Sequence, residues 1–155
     1  MDTYHWLITF HVSAAFLFVG GSVAAGVLNT LAIRAERPSE TAALLRLIRR
    51  VLPVVFVGVF GTFVFGIWLW HQAGYSIGTA WLWIALALWV VANALGGVGG
   101  RHQEKARELA ERLAAEGDVS TDELKSLLAD RKGNAVSWAA GIATLAILAL
   151  MIGKP

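Results

Sequence analysis

Cysteine is absent from this chain of 155 residues, and its absence excludes disulfides, thiolate metal sites and cysteine nucleophiles together. Methionine is scarce as well: Met1 and Met151 are the whole supply, so the sulfur-rich ligand sets that suit copper transport are missing. Charge is the third scarcity. Asp, Glu, Lys and Arg make up 15% of the chain, and none of them falls in residues 4–33, 51–100 or 133–153. Without a carboxylate in those stretches there is no membrane proton relay or cation site of the usual kind, and no Gly-rich phosphate loop joins a strand to a helix. Hydrolytic and ion-coupled chemistries lose their support.

What remains is apolar. Hydrophobic residues account for 57% of the sequence, more than a soluble domain of this length could hide, so lipid must be the solvent for much of the surface. About 20 apolar residues cross the hydrocarbon as helix, so the three uncharged stretches hold one, two and one spans. The middle stretch turns back at a cluster of polar and glycine residues, His71, Gln72, Gly74, Tyr75, Ser76, Gly78 and Thr79. The spans predicted are 4–33, 53–72, 79–100 and 134–152, forming an all-α integral membrane four-helix bundle in a single domain. The first span is too long for a signal-peptide core and has no cation ahead of it, so it is read as a retained helix.

Orientation is read from the cations. Arg34, Arg37, Arg46, Arg49 and Arg50 precede span two, and Arg101, Lys105, Arg107, Arg112, Lys125, Arg131 and Lys132 follow span three, twelve of the thirteen Lys and Arg. The positive-inside rule puts both segments in the cytoplasm, with both termini and the short turn outside, in a bacterial plasma membrane. Tyr4, Trp6, Trp68, Trp70, Tyr75, Trp81 and Trp83 then gather at the outer interface, where amphipathic rings settle. Both basic segments read as cytoplasmic helical connectors. Pro38 opens the first, residues 38–50, and Pro53 is expected to kink it before span two. Arg46, Arg49 and Arg50 share a side of that connector that would meet anionic headgroups. In the second, residues 101–132, Ser120 and Glu123 read as a capping box and Gly133 as the stop. This charge pattern suits a lipid surface and no nucleic acid. A membrane protein partner or a homo-oligomer fits the same pattern.

Polar groups inside lipid must find partners or bear a desolvation cost. Span one carries the best set, because Ser22 lies about 20° from His11 around the helix and Asn29 returns to the same direction. His11 sits about 10 Å below the outer end of its helix. With His71 at the end of span two it forms the feasible pair for holding a b-type haem edge-on between helices, since His5 and His11 point to different sides. Plainer roles stay open: a hydrogen bond to a neighbouring helix for His11, an interfacial anchor for His71. Gly58 and Gly61 in span two, and Gly96, Gly97 and Gly100 in span three, are expected to let helices approach closely.

Residues 4–21 read Tyr-His-Trp-Leu-Ile-Thr-Phe-His-Val-Ser-Ala-Ala-Phe-Leu-Phe-Val-Gly-Gly. This stretch resembles the first helix of a bacterial family of predicted small integral membrane proteins of unknown function, and is similar to that of the CopD copper-resistance and HemJ haem-synthesis proteins. The resemblance implies a haem-associated or metal-associated role in which His11 matches the first-helix histidine. The chain departs from HemJ in having no basic residue inside a later span. Three function classes therefore stand at this point: a haem-binding or haem-handling protein of electron transfer or membrane redox chemistry, a non-catalytic accessory or assembly subunit of a membrane complex, and a transporter or channel.

Overall fold

The computed structural model describes residues 2–76 and 78–153; Lys154, the thirteenth cation, lies outside them. Five helices follow one another: α1 (Thr3–Arg34), α2 (Pro38–Gln72), α3 (Ala80–Ala115), α4 (Asp122–Leu128) and α5 (Arg131–Gly153). Among the described residues there is no strand. Four stretches are long and apolar enough to cross a membrane, in α1, α2, α3 and the segment Asp122–Gly153 that contains α5. Side chains such as Phe16, Phe60 and Ile142, all well over half exposed, are stable only against lipid. The protein is an integral, multi-pass membrane protein.

Helix boundaries follow from local chemistry. The Asp2 carboxylate caps α1 by accepting from the His5 backbone N–H at 3.0 Å. Arg37, ahead of Pro38, takes extended angles because the proline ring disfavours the helical region for its predecessor, and Pro38 then opens α2. The expected kink does not divide α2: connector and span form one helix of 35 residues that runs through Pro53. Pro53 removes one backbone hydrogen bond, which a packed membrane helix tolerates. At 1.5 Å per residue α2 and α3 are each over about 50 Å long, far longer than the hydrocarbon is thick, so both project from it at one end. That end is here the charged end; the opposite one, with the α2–α3 turn, the start of α1 and the end of α5, is the turn end.

Two expectations at the charged end are corrected. Thr121, not Ser120, caps α4, its hydroxyl accepting from the Leu124 N–H at 3.3 Å. The shift by one residue sends Leu124, 1% exposed, into a core with Ala42, Leu109 and Ala110. Gly133 stops nothing. The break falls at Asp130, whose carboxylate accepts from the Lys132 and Gly133 N–H groups and so starts α5.

The α3–α4 turn is held from α2. Asp118 has a left-handed φ of 58°, and its carboxylate accepts from the Ser39 hydroxyl at 2.7 Å and the Ser39 N–H at 2.8 Å. Those bonds, the hydroxyl first, lower the Asp118 pKa below its ordinary value. A carboxyl with a depressed folded pKa contributes stability above its unfolded value and loses it as pH falls through the folded one. Protection of the amides of residues 117–121 against hydrogen exchange, relative to their intrinsic rates at each pH, should therefore fall on acidification through the carboxylate range. Asp118→Asn should already show that loss of protection at neutral pH, and a tie that survived unchanged in that variant would refute the assignment.

Packing places α1 against α2 along most of their length, and α3 against α5. An added Cβ at Gly58 would lie 2.4 Å from the Phe18 nitrogen, and one at Gly61 2.9 Å from the Ala14 Cβ. These glycines mark a close backbone approach. The two pairs join through α2 and α3, where Phe63 stacks on Trp89 with centroids 4.8 Å apart and Trp70 meets Trp83 edge-on at 5.6 Å. Gly96, Gly97 and Gly100, expected at a close contact, have nothing within 4 Å of an added Cβ. On α3 it is Gly99, between them, that meets α5: an added Cβ there would lie 3.0 Å from the Ser137 hydroxyl oxygen.

Candidate functional site

His11 lies two turns into α1, and its ring enters the seam with α2. A Cβ on Gly66 would stand 3.1 Å from the His11 Cε1 and 3.4 Å from Nδ1, so the ring occupies the space that the glycine leaves. Nδ1 is shut off from the surroundings and has no hydrogen-bond partner. The Thr62 backbone lies beside the ring. A buried polar nitrogen without a partner is costly, more so in lipid than in a soluble core.

The other members of the expected seam serve separate purposes. Ser22 spends its hydroxyl on the Phe18 carbonyl of its own helix at 2.7 Å. Asn29 reaches across to α3, where its side-chain oxygen accepts from Gln103 Nε2 at 3.0 Å. His71 is exposed at the turn end. It lies five residues beyond Gly66, which is about 7.5 Å along the helix and about 140° around it, so it is not at the level or on the face that His11 meets. His5 is exposed and bound to Asp2, Nδ1 to Oδ1, at 2.6 Å. Among the described residues no group of three or more His, Cys, Asp or Glu could hold a metal ion.

A second polar site, at the charged end, was not legible from spacing. Asn29, His102, Gln103, Asn134 and Ser137 line a cavity of about 20 Å³, room for one water. His102 Nε2 lies 2.7 Å from the Leu127 carbonyl; a carbonyl only accepts, so Nε2 carries the proton. Asn134 donates to the Leu128 carbonyl at 3.2 Å. The Asn29–Gln103 bond joins α1 to α3, helices that otherwise do not pack on each other. Asn29→Ala and Gln103→Ala should each cost about 1 kcal/mol and couple by a similar amount in a double-mutant cycle. Additive losses in detergent melts would refute the link.

The basic side of α2 is largely committed within the chain. Arg49 pairs with Glu104 at 3.0 Å and Arg46 with Glu111 at 3.9 Å. Arg107 binds both carboxylates, at 2.7 and 2.6 Å, and lowers the Glu104 pKa. Arg50 is exposed, and among the described residues it has no ion pair.

Comparison with known proteins adds one match. The model of a family described as predicted integral membrane protein (DUF2269) matches residues 5–155. No curated protein and no solved structure matches the chain.

Proposed function

We propose that this chain, which belongs to the DUF2269 family of predicted integral membrane proteins, is a small haem-binding or haem-handling protein of membrane redox chemistry, with His11 as the one axial ligand it supplies. The observation that carries the reading is the orphaned His11 nitrogen, its ring seated in the space that Gly66 leaves. A histidine that ligates iron through one nitrogen commonly turns the other toward a backbone carbonyl or similar acceptor, and the nearby Thr62 backbone supports that role. A bound haem would supply one-electron chemistry within the bilayer. The chain's own contribution is to hold the imidazole in one orientation and to exclude water from it. Since His71 lies on another level, the site proposed is a single-ligand one in place of the bis-histidine pair expected from spacing. Detergent-purified protein from haem-replete cells should show a Soret band of five-coordinate, high-spin type. A colourless preparation would sink the proposal.

The charged end is assigned to the cytoplasm of a bacterial cell by the cation asymmetry, with both termini on the far side of the plasma membrane. Arg50 is the cation of its cluster left to meet anionic headgroups. A second reading, an accessory or assembly subunit, draws on the open surface at Gly96, Gly97 and Gly100, where a partner helix has room to approach. It predicts co-purification of a second membrane protein with no pigment.

A further inference from the structure

Where α1 leaves the membrane, a cavity of about 390 Å³ opens between the end of that helix, the start of α2 and α4. Volumes of this size lie within the range of small-molecule sites. Its lining includes an apolar floor-forming set, Ile33, Leu124 and Leu128, and the polar side chains of Glu36, Ser120 and Lys125. The His11 seam plays no part in it.

Two features fix the chemistry of an occupant. The first is position along the chain: Ile33 is the last residue of the uncharged stretch 4–33 and Arg34 is the first cation, so the cavity lies where the apolar run gives way to charge, as acyl chains give way to headgroups. Ile33 is 38% exposed, which leaves the apolar floor continuous with the bilayer. The second is charge. Glu36 and Lys125 line the same cavity, both are exposed, and among the described residues neither has an ion-pair partner, including each other. A purely anionic headgroup would meet Glu36 and a purely cationic one Lys125, each unfavourable near a low-dielectric floor. A ligand with one charge of each sign satisfies both. The Ser120 hydroxyl is available as a donor to a phosphate, whereas the Thr41 hydroxyl is spent on the Arg37 carbonyl at 3.3 Å.

We propose that this cavity binds one phospholipid with a zwitterionic headgroup ending in a primary ammonium, of the phosphatidylethanolamine type. Lys125 and Ser120 receive the phosphate, Glu36 accepts from the ammonium, and an acyl chain lies along Ile33, Leu124 and Leu128. A primary ammonium donates hydrogen bonds to a carboxylate, which the quaternary choline group cannot do. That difference separates the proposed ligand from the other common zwitterion.

Delipidated protein in detergent tests the site, with phosphatidylethanolamine, phosphatidylcholine and phosphatidylglycerol of identical acyl chains as probes. Native mass spectrometry should retain one phosphatidylethanolamine per chain with about tenfold preference over the other two, the size expected of charge-assisted hydrogen bonds. Lys125→Gln and Glu36→Gln, both at exposed positions, should leave the lipid-free melting temperature unchanged and abolish that preference. Glu36→Gln should in addition improve retention of phosphatidylglycerol, because it removes the repelling carboxylate. Equal retention of the three lipids, or a preference that survives both substitutions, would overturn the proposal in favour of ordinary annular lipid. Free phosphoethanolamine that displaced the lipid at comparable concentration would overturn it too, by assigning the site to a soluble zwitterion.

Discussion

Gly58→Ala should cost about 3 kcal/mol, the upper part of the range for overpacking a tight contact. A Cβ at that position would lie 2.4 Å from the Phe18 nitrogen and 2.8 Å from the Ala14 carbonyl oxygen. Both are backbone atoms in the middle of α1, so relief requires the two helices to separate and to give up the neighbouring contacts at Gly61 and Gly21. Gly61→Ala should cost less, because the conflict there is with a single Cβ, that of Ala14, at 2.9 Å. Gly96→Ala and Gly100→Ala should behave oppositely. With nothing within 4 Å of the added atom, only helix propensity changes, by about 1 kcal/mol in alanine's favour. Thermal melts of the four variants in one detergent decide the matter. A Gly58→Ala protein that melts with the parent would mean that α1 and α2 do not meet as described.

These glycines also show where sequence reading stops. Small residues at three- and four-residue spacing announce that some helix face is open to close approach, and Gly58 and Gly96 look alike by that criterion. Only the pairing of α1 with α2 and of α3 with α5 distinguishes them, and pairing is a tertiary fact. Absence of charge over residues 4–33, 51–100 and 133–153 was enough to find four apolar helices, because the hydrocarbon imposes a length and a composition directly on the chain. The charged end was harder to read. Pro53 signals a break only where no packed neighbour compensates it, and α2 continues through it. Ser120 and Thr121 are both good caps, and the choice between them is made by burial of Leu124. The tie between Asn29 and Gln103, 74 residues apart in sequence, has no local signature. At the candidate site the ring of His11 could be located by its depth and face. Its neighbour could not: Gly66, a residue with no side chain to advertise itself, stands against it.

The His11 variants separate ligation from packing, because the two roles rank the same substitutions differently. If His11 holds haem iron, His11→Ala should lose the Soret band, and His11→Gln should lose it nearly as completely, since an amide keeps polarity and volume but is a poor iron ligand. If the ring only packs against Gly66, glutamine should restore most of what alanine removes, because it refills most of the volume that alanine leaves empty. His71→Ala should leave the spectrum unaltered, because that side chain lies on another level of α2; loss of a low-spin component would instead restore the bis-histidine arrangement. Gly66→Ala supplies a readout that a purely structural role would not move. Its Cβ would stand 3.1 Å from the His11 Cε1, tighter than an ordinary contact, so the ring must shift by a few tenths of an ångström while the nitrogen remains. Such a displacement of a ligand should weaken haem retention by about tenfold, as changes in a ligand's support commonly do, and should move the band position. An unchanged spectrum in Gly66→Ala, together with rescue by His11→Gln, would leave His11 as a packing residue and this chain without its proposed cofactor ligand.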